Sequence, residues 1–304
     1  MLSRKQKHIL LKFFSMFSVV RGYNILMMVV AQYLASIYIL AHDKPVKEVV
    51  FDLNLLMLVL ASSAVIAGGY IINNFYDSEK DLINRPQKSM LDKLVSQNTK
   101  LSFYFVLNFI AVIMASYVSF RAVLFFSVYI FAIWFYSHKL KRLPFIGNLT
   151  SAVLTITPFF VIFIYYKNFE HVIFVHAMFL FLIISMRELT KDLENIKGDL
   201  AQNYHTIPIV YGERASKTML TVLGVLTLLP IILLICKYQV GKMSYFFYFS
   251  LVLMLVFQLL LWRSHSKFQY LILHNILKFI ILAGVVSIPL IDISLVLDKI
   301  TLIV

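Results

Sequence analysis

The 304 residues contain one cysteine, Cys236, so no internal disulfide can form and no cysteine–histidine metal spacing exists. Nine glycines and seven prolines are too few for a disordered or low-complexity chain. Charge is also scarce: 14% of residues are charged, against roughly 25% in an ordinary soluble domain. Hydrocarbon takes its place. Hydrophobic residues make up 61% and the mean hydropathy is +0.84, which excludes a soluble globular domain and implies a membrane protein.

About 20 apolar residues are needed to cross roughly 30 Å of hydrocarbon. Runs of that kind fall near 17–41, 54–75, 101–120, 122–138, 149–166, 170–188, 215–236, 244–262 and 275–297. The expected fold is therefore all-α: a polytopic bundle of about nine transmembrane helices, with polar connections capping one face. The basic N-terminus "MLSRKQKHILLKFF" is not followed by a small-residue cleavage site, so its apolar run reads as a retained first span.

An odd number of spans puts the termini on opposite sides. On that threading 19 lysines and arginines fall on the side of the N-terminus and seven on the other. The positive-inside rule then makes the N-terminal side cytoplasmic. The net charge of +13 is explained by topology and by attraction to anionic lipid, not by a nucleic-acid partner.

Two long polar connections, 76–100 and 189–214, lie on that cytoplasmic face, and each carries acids. In "NNFYDSEKDLINRPQK", Asn73, Asp77 and Asp81 are four residues apart and share one face of a helix, flanked by Asn74 and Asn84. Arg85-Pro86 ends that helix. Like charges at this spacing repel, and Lys80, Arg85 or a divalent cation would offset the repulsion. In "MRELTKDLENIKGDLAQNYHTIPIVYG", Asp192, Asn195 and Asp199 share a helical face. Gly198 is expected to loosen this helix, and Pro208 with Gly212 to punctuate the approach to the seventh span.

The two stretches follow even-numbered spans at matching places. This suggests one transmembrane domain over 1–304, with halves of about 1–148 and 149–262 and a ninth helix at 275–297. Paired carboxylate clusters at one membrane face suit Mg²⁺ shared with a diphosphate, because Mg²⁺ combines one or two carboxylates with substrate phosphates. Lys139, Lys141, Arg142, Arg21 and Arg187 are the cations available for the remaining phosphate charge. Solvated loops are the bland alternative. A transporter would place ionisable groups nearer the bilayer midplane, and a non-enzymatic scaffold is the further alternative, raised by the uncharged Asn74 and Asn195.

The two acidic stretches resemble the signatures of the UbiA family of intramembrane prenyltransferases, written N-D-x-x-D-x-x-x-D and D-x-x-D-x-x-x-D. "INRPQK", "RGYN" and "YSHKLKR…GN" are similar to further family features. Asn74 and Asn195 stand where the family carries aspartates, and each removes one negative charge. The resemblance implies that Asp77, Asp81, Asp192 and Asp199 hold Mg²⁺ on the diphosphate of an allylic prenyl donor. It implies substrate contacts for Asn73, Asn74, Arg21, Asn24, Tyr136, Lys141, Arg142, Arg187, Lys191 and Asn195. The prenyl tail would lie among helices that are rich in aromatic residues. "RELTKDLENIKGDLAQ" is most similar to the branch that prenylates geranylgeranylglyceryl phosphate, with Glu188 or Tyr204 as helpers in deprotonating the acceptor. An aromatic acceptor of quinone biosynthesis, namely 4-hydroxybenzoate, homogentisate or dihydroxynaphthoate, is the alternative.

Outside these stretches, Lys278 is expected to snorkel, and Asp292 and Asp298 to face water. His176 reads as either functional or hydrogen-bonded packing. Pro158, Pro230 and Pro289 are expected to bend their helices.

Overall fold

The computed structural model describes residues 4–238 and 240–292. Asp298 and the end of the expected ninth span lie outside them. In chain order the main helices are α1 (Arg4–Val19), α2 (Gly22–Ala35), α3 (Leu53–Tyr76), α4 (Ser78–Asn84), α5 (Pro86–Asp92) and α6 (Gln97–Val118). They continue with α7 (Phe120–His138), α8 (Ile146–Tyr166), α9 (His171–Ala201), α10 (Ile207–Leu226), α11 (Ser244–Arg263) and α12 (Lys267–Ser287). No strand occurs among the described residues. Nine helical segments among them are long and apolar enough to cross a membrane. The all-α expectation holds, and the chain is an integral membrane protein.

The polar residues between the spans set the helix starts. Asp52 Oδ1 accepts from the backbone N–H of Asn54 and Leu55 at the start of α3. Ser96 and Ser119 cap α6 and α7 in the same way, and Ser266 with Gln269 forms a capping box on α12. Each cap satisfies backbone donors that the first helical turn leaves without a partner.

Two compact units can be distinguished. The first comprises the described residues 4–30, 51–147 and 197–205. In it α3 packs along α6 and α7, and Val19, Ile71, Ile72 and Tyr104 form a buried cluster. The second comprises 31–50, 148–196 and the described residues from 206 to 292. Its core gathers Phe179, Ile183, Met186, Phe246, Phe247, Phe257 and Leu277. Buried Gln32 donates to the carbonyl of Pro158 at 2.9 Å, so the polar side chain of α2 has a partner within the apolar interior.

The structure moves several expected boundaries. The first span does not begin at residue 17. α1 is a separate helix, and the chain turns at Arg21, whose φ is 51°, before α2 starts. Phe13, Phe14 and Phe17 of α1 are exposed. The sixth span does not end near residue 188: α9 runs for 31 residues to Ala201 and carries Asp192, Asn195 and Asp199 on a helix, as their spacing suggested. Gly198 does not loosen that helix. It allows a close approach: a Cβ there would lie 2.3 Å from Asn84 Nδ2, and its N–H donates to Asn84 Oδ1 at 3.2 Å. Gly212, with φ 83°, is the true break and kinks α10, as the sequence suggested. Pro230 precedes a π turn and Pro289 lies in a 3₁₀ turn.

Asn84 is buried, so it cannot yield to a new methyl group without losing the Gly198 hydrogen bond. Gly198→Ala is therefore expected to destabilise the protein by about 1–3 kcal/mol, the usual cost of overpacking. Thermal unfolding in detergent checks this, and a melting temperature equal to or above the wild type would contradict it.

Candidate active site

The first acidic stretch keeps helical hydrogen bonding almost without interruption. The N–H of Asp77 donates to Asn73 O, that of Asp81 to Asp77 O and that of Arg85 to Asp81 O. Asn73, Asp77 and Asp81 consequently stand in one row, although Asp77 itself leaves helical geometry (φ −94°, ψ 5°) between α3 and α4. The chain turns again at Arg85, and Pro86 opens α5.

Asp77 is the centre of the first unit's polar cluster. Its Oδ1 lies 2.7 Å from Lys141 Nζ and 3.7 Å from Lys80 Nζ, and it accepts from the Tyr204 hydroxyl at 2.9 Å. Lys141 also donates to Asn73 Oδ1 at 3.2 Å. Lys80 reaches Asp199 at 3.0 Å and lies 4.4 Å from the Tyr204 ring centre. The last turn of α9, the α7–α8 connection and the α3–α4 junction are thus joined through charge. The Arg142 guanidinium lies 5.3 Å from the same ring, and the His205 N–H donates to Arg142 O at 2.9 Å.

Burial would raise the Asp77 carboxyl, but Lys141 and then Lys80, with hydrogen bonds from Lys141 and Tyr204, hold it at about 2. Asp81 moves the other way. Burial and the adjacent Asp77 carboxylate push it up, against Lys80, Arg85 and Arg21. Tyr204 is raised by burial and by Asp77. It donates to a carboxylate and is unsuited to act as a base, which corrects the role suggested for it above.

Asn74 turns away from this row. It accepts from Lys100 Nζ at 2.8 Å and donates to Asp92 Oδ2 at 3.1 Å, while Ser18 of α1 donates to Asp92 Oδ1 at 3.2 Å. Its amide therefore ties α3 to α1, α5 and α6, a linking role that sequence spacing did not reveal. The buried lysine at the start of the apolar α6 was the available signal. Arg21 lies 5.0 Å from the Tyr70 ring, and Asn24 donates to the Tyr70 hydroxyl at 3.3 Å. Tyr136 is half-buried near the end of α7.

Within the second unit, Asp192 Oδ2 accepts from Asn148 Nδ2 at 2.8 Å. Asn195 donates back to Lys191 O at 2.8 Å. Arg187 and Lys191 both hold Glu188, at 2.8 Å and 2.9 Å. Glu188 is thereby neutralised by two cations and does not suit proton abstraction, so the second suggested helper also falls. Glu194 meets His274 Nδ1 at 3.2 Å, a pair that no spacing or motif signals. The unit also holds a partly open apolar cavity of ≈ 160 Å³, whose lining includes Phe160, Phe163, Phe179, Phe247 and His176. His176 Nδ1 is hydrogen-bonded to Val172 O at 2.9 Å.

Among the described residues no three His, Cys, Asp or Glu side chains converge as a ready-made metal cage. The donors nonetheless suit Mg²⁺, which favours oxygen and completes its shell with phosphate and water. Asp77 and Asp199 already share a single cationic group, Lys80, and Asn73 adds an amide oxygen beside them.

The profile of the UbiA prenyltransferase family matches residues 25–270, a span that contains both acidic stretches. The chain belongs to the UbiA prenyltransferase family. It is a prenyltransferase embedded in the membrane. A digeranylgeranylglyceryl phosphate synthase of Thermococcus sibiricus is 32% identical over 217 residues, 71% of this chain and 75% of that one. A structure concerned with digeranylgeranylglyceryl phosphate synthase in membranes superimposes with a TM-score of 0.69 at 20% identity, covering 91% of this chain and 97% of that one. A UbiA homolog from Archaeoglobus fulgidus bound to GPP and Mg²⁺ gives a TM-score of 0.64 at 11% identity, covering 90% and 99%. At these identities the two structures establish the shared fold.

Asp77 and Asp81 should respond oppositely to removal of charge. Asp77→Asn leaves buried Lys141 and Lys80 without their shared carboxylate and is expected to cost about 3–5 kcal/mol. Asp81→Asn removes a half-buried charge that the Asp77 carboxylate opposes, and is expected to keep or raise the melting temperature. The contribution of Asp77 is fully present above its unfolded pKa of roughly 3.9 and is lost as pH falls towards about 2. Melting curves of both variants from pH 7 to pH 3 check this, and equal destabilisation by the two would contradict it.

Proposed function

We propose that this chain transfers a prenyl group from an allylic prenyl diphosphate to a glycerol-phosphate lipid of the geranylgeranylglyceryl phosphate type, with Mg²⁺ as cofactor. The observation that carries the reading is the buried Asp77–Lys80–Asp199 cluster with Lys141 and Asn73 beside it. It combines oxygen donors for a cation with cations for phosphate at the end of a hydrophobic helix. The named relative, 32% identical, supports the acceptor class, and the Archaeoglobus homolog supports a prenyl diphosphate with Mg²⁺.

Asp77, Asp81, Asp192 and Asp199 would hold Mg²⁺, which when bound supplies Lewis-acid stabilisation of the leaving diphosphate. Asn73 supports the same site. Lys141 and Arg142, with Arg21, neutralise the diphosphate oxygens that gain charge as the allylic carbon–oxygen bond breaks. Asn24, Tyr136, Arg187, Lys191 and Asn195 belong to the surrounding substrate contacts. Asn148 fixes the orientation of Asp192 by its hydrogen bond. The phenylalanine-lined cavity supplies apolar volume for an isoprenoid chain. On α9, Ile183 of its wall lies nine residues before Asp192, about 14 Å along the helix axis. The site and the N-terminus are placed on the cytoplasmic side and the C-terminus on the opposite one, because lysine and arginine concentrate in the corresponding connections.

The test uses purified protein, geranylgeranyl diphosphate and Mg²⁺ with geranylgeranylglyceryl phosphate, 4-hydroxybenzoate, homogentisate and dihydroxynaphthoate as acceptors. The expected product forms with the glycerol-phosphate lipid and requires Mg²⁺. It should fall by at least about 10²–10³-fold in Asp77→Ala and Asp192→Ala, the scale for losing one preorganised electrostatic contact. Turnover of an aromatic acceptor alone would reject the lipid assignment. Absence of Mg²⁺-dependent diphosphate release with every acceptor would reject the reaction.

A further inference from the structure

We propose that Lys80 is an internal counter-cation that competes with a divalent ion for the Asp77–Asp199 pair and so sets the metal affinity of the site. This rests on the metal–diphosphate reading above. The two carboxylates come from segments 122 residues apart, one at the end of α3 and the other in the last turn of α9. Both are buried, with side-chain exposures of 8% and 1%. Two such charges do not remain together without a positive partner. Lys80 provides it from within the first acidic stretch, 3.0 Å from Asp199 and 3.7 Å from Asp77.

The ammonium is held but not locked. Its side chain is 16% exposed, and it stands on α4, a helix of seven residues between two backbone breaks. The Tyr204 ring, 4.4 Å away, favours a cation at this place. Lys141 is the contrasting case: it contacts the same Asp77 oxygen at 2.7 Å but is anchored a second time by Asn73. Lys80 contacts both carboxylates and so bridges them.

A divalent ion placed on Asp77 and Asp199 must first separate Lys80 from them, and its apparent affinity is lowered by that cost. Asn74 and Asn195, which carry no charge, do nothing to restore it. Once separated, the ammonium on α4 is available to a diphosphate oxygen. Lys80 on this account keeps the carboxylates together before the cation arrives, and its release links cation binding to donor binding.

The deciding experiment measures Mn²⁺ binding by electron paramagnetic resonance on chelator-treated full-length protein, together with melting temperatures with and without Mn²⁺. Lys80→Met is expected to bind Mn²⁺ about tenfold more tightly than the wild type. It should also melt lower than the wild type without Mn²⁺ and gain more on its addition. Lys80→Arg, which keeps the charge, is expected to stay within about twofold. Unchanged or weaker Mn²⁺ binding in Lys80→Met would overturn the proposal, and so would an equal change in both variants. Should Lys80→Met fold poorly without metal, Lys80→Gln replaces it, and a Mn²⁺-induced rise in melting temperature no larger than that of the wild type would overturn the proposal. Wild-type binding that is lost in Asp77→Ala but indifferent to Lys80 would remove this inference and leave the metal site standing. No Mn²⁺ binding by any form would remove both.

Discussion

The buried carboxylate of Asp77 is the constraint around which the first unit is arranged. Its Oδ1 receives Lys141, Lys80 and the Tyr204 hydroxyl, and through them it joins the end of α3 to the α7–α8 connection and to the chain beyond α9. A carboxylate so placed would be costly alone, because removing a charge from water costs several kcal/mol that only well-placed partners return. Lys141 and Tyr204 are themselves buried and Lys80 is partly so, and removing the carboxylate would leave two ammonium groups short of a counter-charge. At Asp81, four residues on, Lys80, Arg85 and Arg21 do not outweigh burial and the Asp77 carboxylate, and its pKa is raised. The contrast suits a site whose full complement of positive charge arrives with its substrates.

The adjacent amides show how one helix serves two purposes. Asn73 and Asn74 are separated by about 100° around the helix axis. Asn73 consequently faces Lys141 and Asp77, whereas Asn74 faces Lys100 and Asp92. The absence of an aspartate at position 74 therefore coincides with an amide that both donates and accepts, which a carboxylate cannot do. In the second unit, Glu188 and Asp192 are likewise held by Arg187, Lys191 and Asn148. Much of the polar side-chain chemistry here is already engaged in orienting other groups.

The membrane class, the number of spans and the two acidic stretches were legible in the sequence because each depends on local pattern. Twenty apolar residues imply a span, and carboxylates at four-residue spacing imply a shared face, whatever lies elsewhere in the chain. Boundaries were less legible. α9 carries its helix through Arg187–Asp199 because helical hydrogen bonding tolerates charged side chains once a span leaves the hydrocarbon, and hydropathy registers only the hydrocarbon. Gly198 looked like a helix breaker because isolated propensity disfavours glycine. Its place was decided by Asn84, which is far away in sequence.

What the sequence determined alone is the set of chemical groups and the helical faces that bear them: Asn73, Asp77 and Asp81 in one row, and Asp192, Asn195 and Asp199 in another. Only the tertiary structure decided which groups meet. It gave Lys80 to Asp77 and Asp199 together, turned Asn74 towards Lys100, and made Tyr204 a hydrogen-bond donor. The physical reason is range. Helical periodicity operates over a few residues, whereas these polar side chains are paired across segments 26 to 127 residues apart, where no local pattern records it.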